Sequence, residues 1–180
     1  MLCKLCLNEK KLRLSHSIPR SYIKKIKENG KLVLVNENSR VTSGSFDPKE
    51  YMLCDDCEGF LTDNYESYGI QVLRTKKNVL AHKEYVSIKD INYQKYYLFL
   101  LSILWRVSVS NLEFYNTVSN LGGAGDLMRY SILNNTLKVS ERERIRIDQI
   151  VKVCIFRIID TSGFLSDEHI KKTMSNFAQE

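Results

Sequence analysis

Cys3-Lys4-Leu5-Cys6, then Ser15-His16-Ser17-Ile18-Pro19, then Leu53-Cys54-Asp55-Asp56-Cys57-Glu58: these three pieces of the first 69 residues decide how the chain is read. Two Cys-x-x-Cys pairs point to one tetrahedral four-thiolate site. An ion such as zinc takes four soft ligands, and a two-residue spacer lets two sulfurs reach it from a single turn. The competing readings are two disulfides or four unrelated buried thiols. No positively charged leader followed by an apolar run opens the sequence, which argues against a secreted, disulfide-bonded protein and for a reducing cytoplasm. The expectation is a structural zinc ion on Cys3, Cys6, Cys54 and Cys57.

Around these pieces, Lys11 to Ser15 alternates polar and apolar residues, with Leu12 and Leu14 on one face. It reads as a short strand that delivers His16, and Pro19 keeps the residue before it out of helical geometry. Ser21 can cap a short helix over 22–28, basic through Lys24, Lys25 and Lys27 and closed by Asn29-Gly30. Lys31 to Val35 is a strand by β-branched content, and 36–49 is a polar loop with room for a strand near Arg40 to Thr42. From Asp55 onward Glu58, Leu61, Tyr65 and Tyr68 recur at helical spacing, with Asp55 and Asp56 in the first turn, where carboxylates suit the helix dipole. Knuckle, strand, strand, then a helix carrying the second cysteine pair is the order of a treble-clef zinc module.

Cys-x-x-Cys, Ser-His-x-Ile-Pro, and Leu-Cys-x-x-Cys opening a helix together resemble the zinc-stabilised HNH endonucleases, over about residues 1–70. The resemblance implies a ββα-metal core that cuts phosphodiester bonds in DNA, in some members RNA, with a divalent ion. It also implies a strand-end histidine as general base, and His16 is the residue that matches. A neutral imidazole near pH 7 can take the proton of a water while a metal stabilises charge on the phosphate. The chain departs from the family in three places. Ser15 stands where an acidic residue or histidine is usual. Residues 46–53 lack the asparagine that orients the base, and Cys57-Glu58 replaces Cys-His. Glutamate is a competent ligand for Mg²⁺ or Mn²⁺, so Glu58 is the candidate partner of His16, with Asp63, Asn64 and Glu66 further along the same helix. The plainer readings are a solvated Glu58, and a His16 that is structural or helps the zinc site.

In the 180 residues, 43% hydrophobic and 27% charged, nothing suggests extensive disorder. A net charge of +6 permits a nucleic-acid partner. The longest apolar run, 96–109, is broken by Ser102, Arg106 and Ser108 and falls short of the roughly 20 residues that a membrane span needs. Asn92 to Ser110 is the strongest helix, and Arg106 within it calls for a carboxylate or a phosphate. Between Gly69 and Lys89 short segments alternate, with a strand at Tyr85 to Ile88. The cluster Arg74 to Lys77 is either a phosphate contact or a solvated loop, and His82 is a surface residue. Leu121-Gly122-Gly123-Ala124-Gly125-Asp126 lacks the Lys-Ser/Thr of a P-loop and reads as a turn, with Asp126 capping a helix over 127–134. A helix from Glu141 to about Ile159 would bury Cys154, and a last amphipathic helix would run from Ser166 through Phe177.

The expected fold class is α+β: a zinc module of HNH type at 1–75, followed by a mainly helical domain at 76–180. The expected function is a metal-dependent endonuclease with structural Zn²⁺ and catalytic Mg²⁺ or Mn²⁺, acting on nucleic acid, DNA first. The alternative is a catalytically inactive zinc module that binds nucleic acid or a protein partner, as a homo-oligomer or as a subunit of a larger complex.

Overall fold

Each of the three pieces lies at a junction between elements. In the computed structural model, which describes residues 1–21, 32–35, 41–44, 48–75, 79–82, 85–118, 121–142, 144–154 and 161–164, the fold is mixed α/β. The strands are β1 (Leu12–His16), β2 (Leu32–Val35), β3 (Val41–Gly44), β4 (Lys49–Cys54), β5 (Val79–Ala81) and β6 (Val86–Ile88). They form three separate antiparallel ribbons, β1 with β4, β2 with β3 and β5 with β6. The helices are α1 (Asp55–Leu61), α2 (Ser67–Arg74), α3 (Tyr93–Ser108), α4 (Gly123–Leu133) and α5 (Ile147–Ile150). A π-helical turn, Thr62–Glu66, joins α1 to α2, and a 3₁₀ turn spans Glu113–Tyr115.

The chain divides into two compact units, Met1–Pro19 with Pro48–Cys154 and Arg20–Asp47 with Ile155–Glu180. In the second, β2 and β3 pair from Leu32 opposite Gly44 to Val35 opposite Val41, where the sequence leads one to expect strands. The basic helix expected over 22–28 and the final helix over 166–177 lie outside the described residues.

The core of the first unit is built on α3. Its i, i+3, i+4 pattern buries Tyr96, Tyr97, Leu98, Phe99, Leu101 and Trp105. Asn92 caps the helix, its side chain accepting from the Lys95 amide at 3.0 Å. Helix α2 runs on through Gly69, where the sequence suggests mixed short segments. The approach is tight, because a Cβ at residue 69 would fall 2.1 Å from the Phe99 ring. Met128 and Ile132 of α4 complete the core, and the Tyr65 hydroxyl donates to the Ile132 carbonyl at 2.6 Å. Among the described residues no helix is long and apolar enough to cross a membrane.

Two expectations fail beyond α3. Helix α4 starts at Gly123, capped by Gly122 at φ 53°, so Asp126 lies inside the first turn and does not cap. Glycine reaches positive φ without steric penalty, which lets the helix begin as soon as the chain has turned. The helix expected from Glu141 to about Ile159 does not form as a continuous element: among the described residues of 141–154 only α5 is helical, and 155–159 lie outside the described residues. Ile145, Ile147 and Val151 are β-branched, and the backbone has other partners there. Lys138 bridges Arg146, Val139 donates to the Ile145 carbonyl at 3.2 Å, and Ile147 donates to the Leu137 carbonyl at 2.7 Å. Cys154, expected to be buried, is exposed.

Candidate metal centre and the end of strand β1

The first ten residues fold back on themselves, with Leu2 bridging Glu9. The Cys3 amide donates to the Asn8 carbonyl at 3.0 Å and the Leu7 amide to the Cys3 carbonyl at 2.9 Å. Leu7 takes the left-handed conformation (φ 59°) that so tight a turn demands. This knuckle is tied to β4, since the Lys4 amide donates to the Met52 carbonyl at 3.1 Å and the Cys54 amide to Cys3 Sγ at 3.4 Å. Helical residues hold it from the far side. Arg129 of α4 donates to the Leu5 carbonyl at 3.0 Å, and Lys4 Nζ donates to the Val109 carbonyl at the end of α3.

The second pair lies where β4 becomes α1, with extended Cys54 as N-cap and Cys57 in the first turn. Knuckle and helix start bring the ligand atoms of Cys3, Cys6, Cys54 and Cys57 within 4.8 Å of one another. Cys6 Sγ and Cys54 Sγ are 4.0 Å apart, about twice the length of a disulfide bond, and all five cysteines are free. A tetrahedral metal site with zinc–sulfur bonds of about 2.3 Å has sulfurs about 3.8 Å apart, so the four thiols fit a structural ion such as zinc. Among the described residues, no other set of three or more His, Cys, Asp or Glu side chains is placed to hold an ion.

The thiols differ in electrostatics. Burial works against ionising Cys3, but donation from the backbones of Cys6, Cys54 and Leu5 outweighs it and brings Cys3 down to about 7. Cys57 is driven the other way, first by burial and then by the sulfurs of Cys54 and Cys3 beside it. Cys54 is also raised, chiefly by burial. Crowded thiols resist ionising together unless a cation shares them.

The β1–β4 ribbon leads from this centre to His16. Its register runs Arg13 opposite Leu53 and then Leu14 opposite Tyr51, so β4 carries one extra residue, Met52. This bulge changes which face of the ribbon is covered. Leu12 is buried and Arg13 exposed, but beyond the bulge Leu14 is 44% exposed and Ser15 buried. Leu12 and Leu14, read in the sequence as one apolar face, are therefore separated by the added twist that a bulge brings. His16, two residues past Leu14 and opposite Lys49, falls on the same side as Leu14 and Tyr51 and is half-buried. Ser15 and Ser17 on either side of it are 1% and 0% exposed. The Ser15 hydroxyl accepts the Leu53 amide at 3.3 Å, so this residue has a task in the ribbon.

Arg106 finds the carboxylate that its burial demands, although it is only 2% exposed. Its Nη1 lies 2.7 Å from Glu66 Oε1, and the same nitrogen donates to the His16 carbonyl at 3.2 Å. Its Nε donates to the Ser102 carbonyl at 3.3 Å. Glu66 was one of three polar candidates along the helix. It is committed to this pair, Asn64 donates to the Phe60 carbonyl at 2.9 Å, and Asp63 is exposed. Glu58, one residue after Cys57, is half-buried, and its Oε1 is fully enclosed without a hydrogen-bond partner among the described residues.

The sequence does not announce the bulge or the π turn that carries Glu66. Nor does it show which carboxylate Arg106 meets. Comparison with known protein families, with curated proteins and with solved structures finds no match.

Proposed function

We propose that this protein is a metal-dependent phosphodiester hydrolase of the HNH type, built on a treble-clef module in which Cys3, Cys6, Cys54 and Cys57 hold zinc. The observation that carries the reading is the setting of His16. Its neighbours Ser15 and Ser17 are buried, while His16, on the side of the ribbon that carries exposed Leu14 and Tyr51, is half-buried. A ring so held can accept a proton from a water presented to it. Glu58, half-buried one residue after Cys57, is the carboxylate that this reading assigns to a divalent ion. A divalent ion bound there would stabilise charge on the phosphate, and water and substrate oxygens would complete its ligands, as is usual for Mg²⁺. DNA is the expected substrate.

Zinc-loaded protein with Mg²⁺ or Mn²⁺ is expected to nick supercoiled DNA. His16→Ala should slow nicking by roughly 10²- to 10⁴-fold, the usual worth of a general base. Equal rates in His16→Ala and the parent would refute the assignment. The second reading, an inactive module that grips nucleic acid or a protein, is favoured by the use of Ser15 in the ribbon. It requires nucleic-acid binding that survives His16→Ala and no cleavage with any divalent ion.

A further inference from the structure

The end of β1 is fastened from a distant part of the chain. From the geometry we infer that Arg106, set by Glu66, is a positioning residue for His16; the inference rests on the hydrolase reading for its purpose but not for its test. The guanidinium is 2% exposed, pairs with Glu66 at 2.7 Å and donates to the His16 carbonyl at 3.2 Å. Strand ends fray, and His16 is the last residue of β1, two residues past Leu14, where the bulge falls. A buried guanidinium on α3 ties that end down, because its Nη1 reaches both the last carbonyl of the strand and the Glu66 carboxylate. Glu66 lies at the end of the π turn, which shifts the phase of the helix between the residues that follow the metal centre and those of α2. The same helical stretch thus supplies two metal-centre cysteines at its start and the orienting carboxylate at its π turn. The backbone that carries the imidazole is flanked by buried Ser15 and Ser17, so a shift of the His16 carbonyl is passed on to the ring.

A group that only stabilises the core would change the melting temperature without altering the folded ring's surroundings. The test is the set of histidine ring NMR signals of the full, zinc-loaded chain in the parent and in Arg106→Lys, Arg106→Gln and Glu66→Gln, with zinc content and nicking rate measured on the same samples. The His16 ring signals should move or broaden in Arg106→Gln and Glu66→Gln and return toward the parent in Arg106→Lys, while those of exposed His82 stay in place. Nicking by Arg106→Gln should lose tenfold or more in kcat with KM little changed. His16 signals superimposable on the parent's in folded, zinc-loaded Arg106→Gln or Glu66→Gln would overturn the inference, as would failure of all three variants to fold. A parent that nicks nothing would overturn the hydrolase reading, and the ring signals would still decide the positioning role.

Discussion

At the scale of single residues, the buried ion pair is the most consequential contact in the first unit. An arginine taken out of water is tolerable only while its charge is matched, and removing one partner of such a pair typically costs about 3–5 kcal/mol. Glu66→Ala is therefore expected to lower stability by about that amount, because Arg106 is left charged and enclosed. Urea unfolding of parent and variant would measure it, and a loss under about 1 kcal/mol would mean that water reaches the guanidinium. Gly69 makes a second case. Alanine is ordinarily the better helix former by about 1 kcal/mol. Here a Cβ would fall 2.1 Å from the Phe99 ring, and that ring belongs to the packed core. Gly69→Ala is expected to destabilise by about 1–3 kcal/mol despite its helix propensity, because overpacking outweighs the backbone gain. A rise in melting temperature would show that the two helices can part without cost.

At the scale of elements, what the sequence reveals follows from how local the cause is. Helix α3 is legible because its apolar spacing, its cap and its length agree. Asn92→Ala should cost about 1 kcal/mol, seen as a lower melting temperature, because the Lys95 amide loses its acceptor. The cysteine cluster is legible because two spacers each fix a pair of sulfurs, whatever happens between the pairs. The segment after Ser140 misleads because an apolar β-branched run fits a buried helix and an extended segment equally well; the carbonyls of Leu137 and Ile145 decide, and they are set by the turn after α4. The bulge at Met52 is not legible, because it depends on pairing with a strand more than thirty residues away. His16 could be nominated from the sequence, but its exposure could not.

At the scale of the whole molecule, the N-terminal knuckle and the β4–α1 junction meet at the four sulfurs, beside buried Leu5, Met52 and Leu53. Ion binding there is folding free energy, since no such site exists in the unfolded chain. Exchange of the ion for a chelator should lower the melting temperature, and Cys57→Ser should do the same without chelator. The sign of the pH dependence follows from the thiols. In the ion-free protein Cys3 is held down to about 7, so its contribution is present above the unfolded thiol value of 9.0 and is lost as pH falls through about 7. Cys54 and Cys57 are raised, so ion-free protein loses stability as pH climbs past 9.0. With the ion bound the ligands are thiolates, and protons compete with the ion for each of them, so acidification releases it. Zinc release followed with a chromophoric chelator should therefore increase steadily as pH is lowered from 8, with melting temperature falling in step. Release that does not depend on pH would mean that the four thiols are not the ligands.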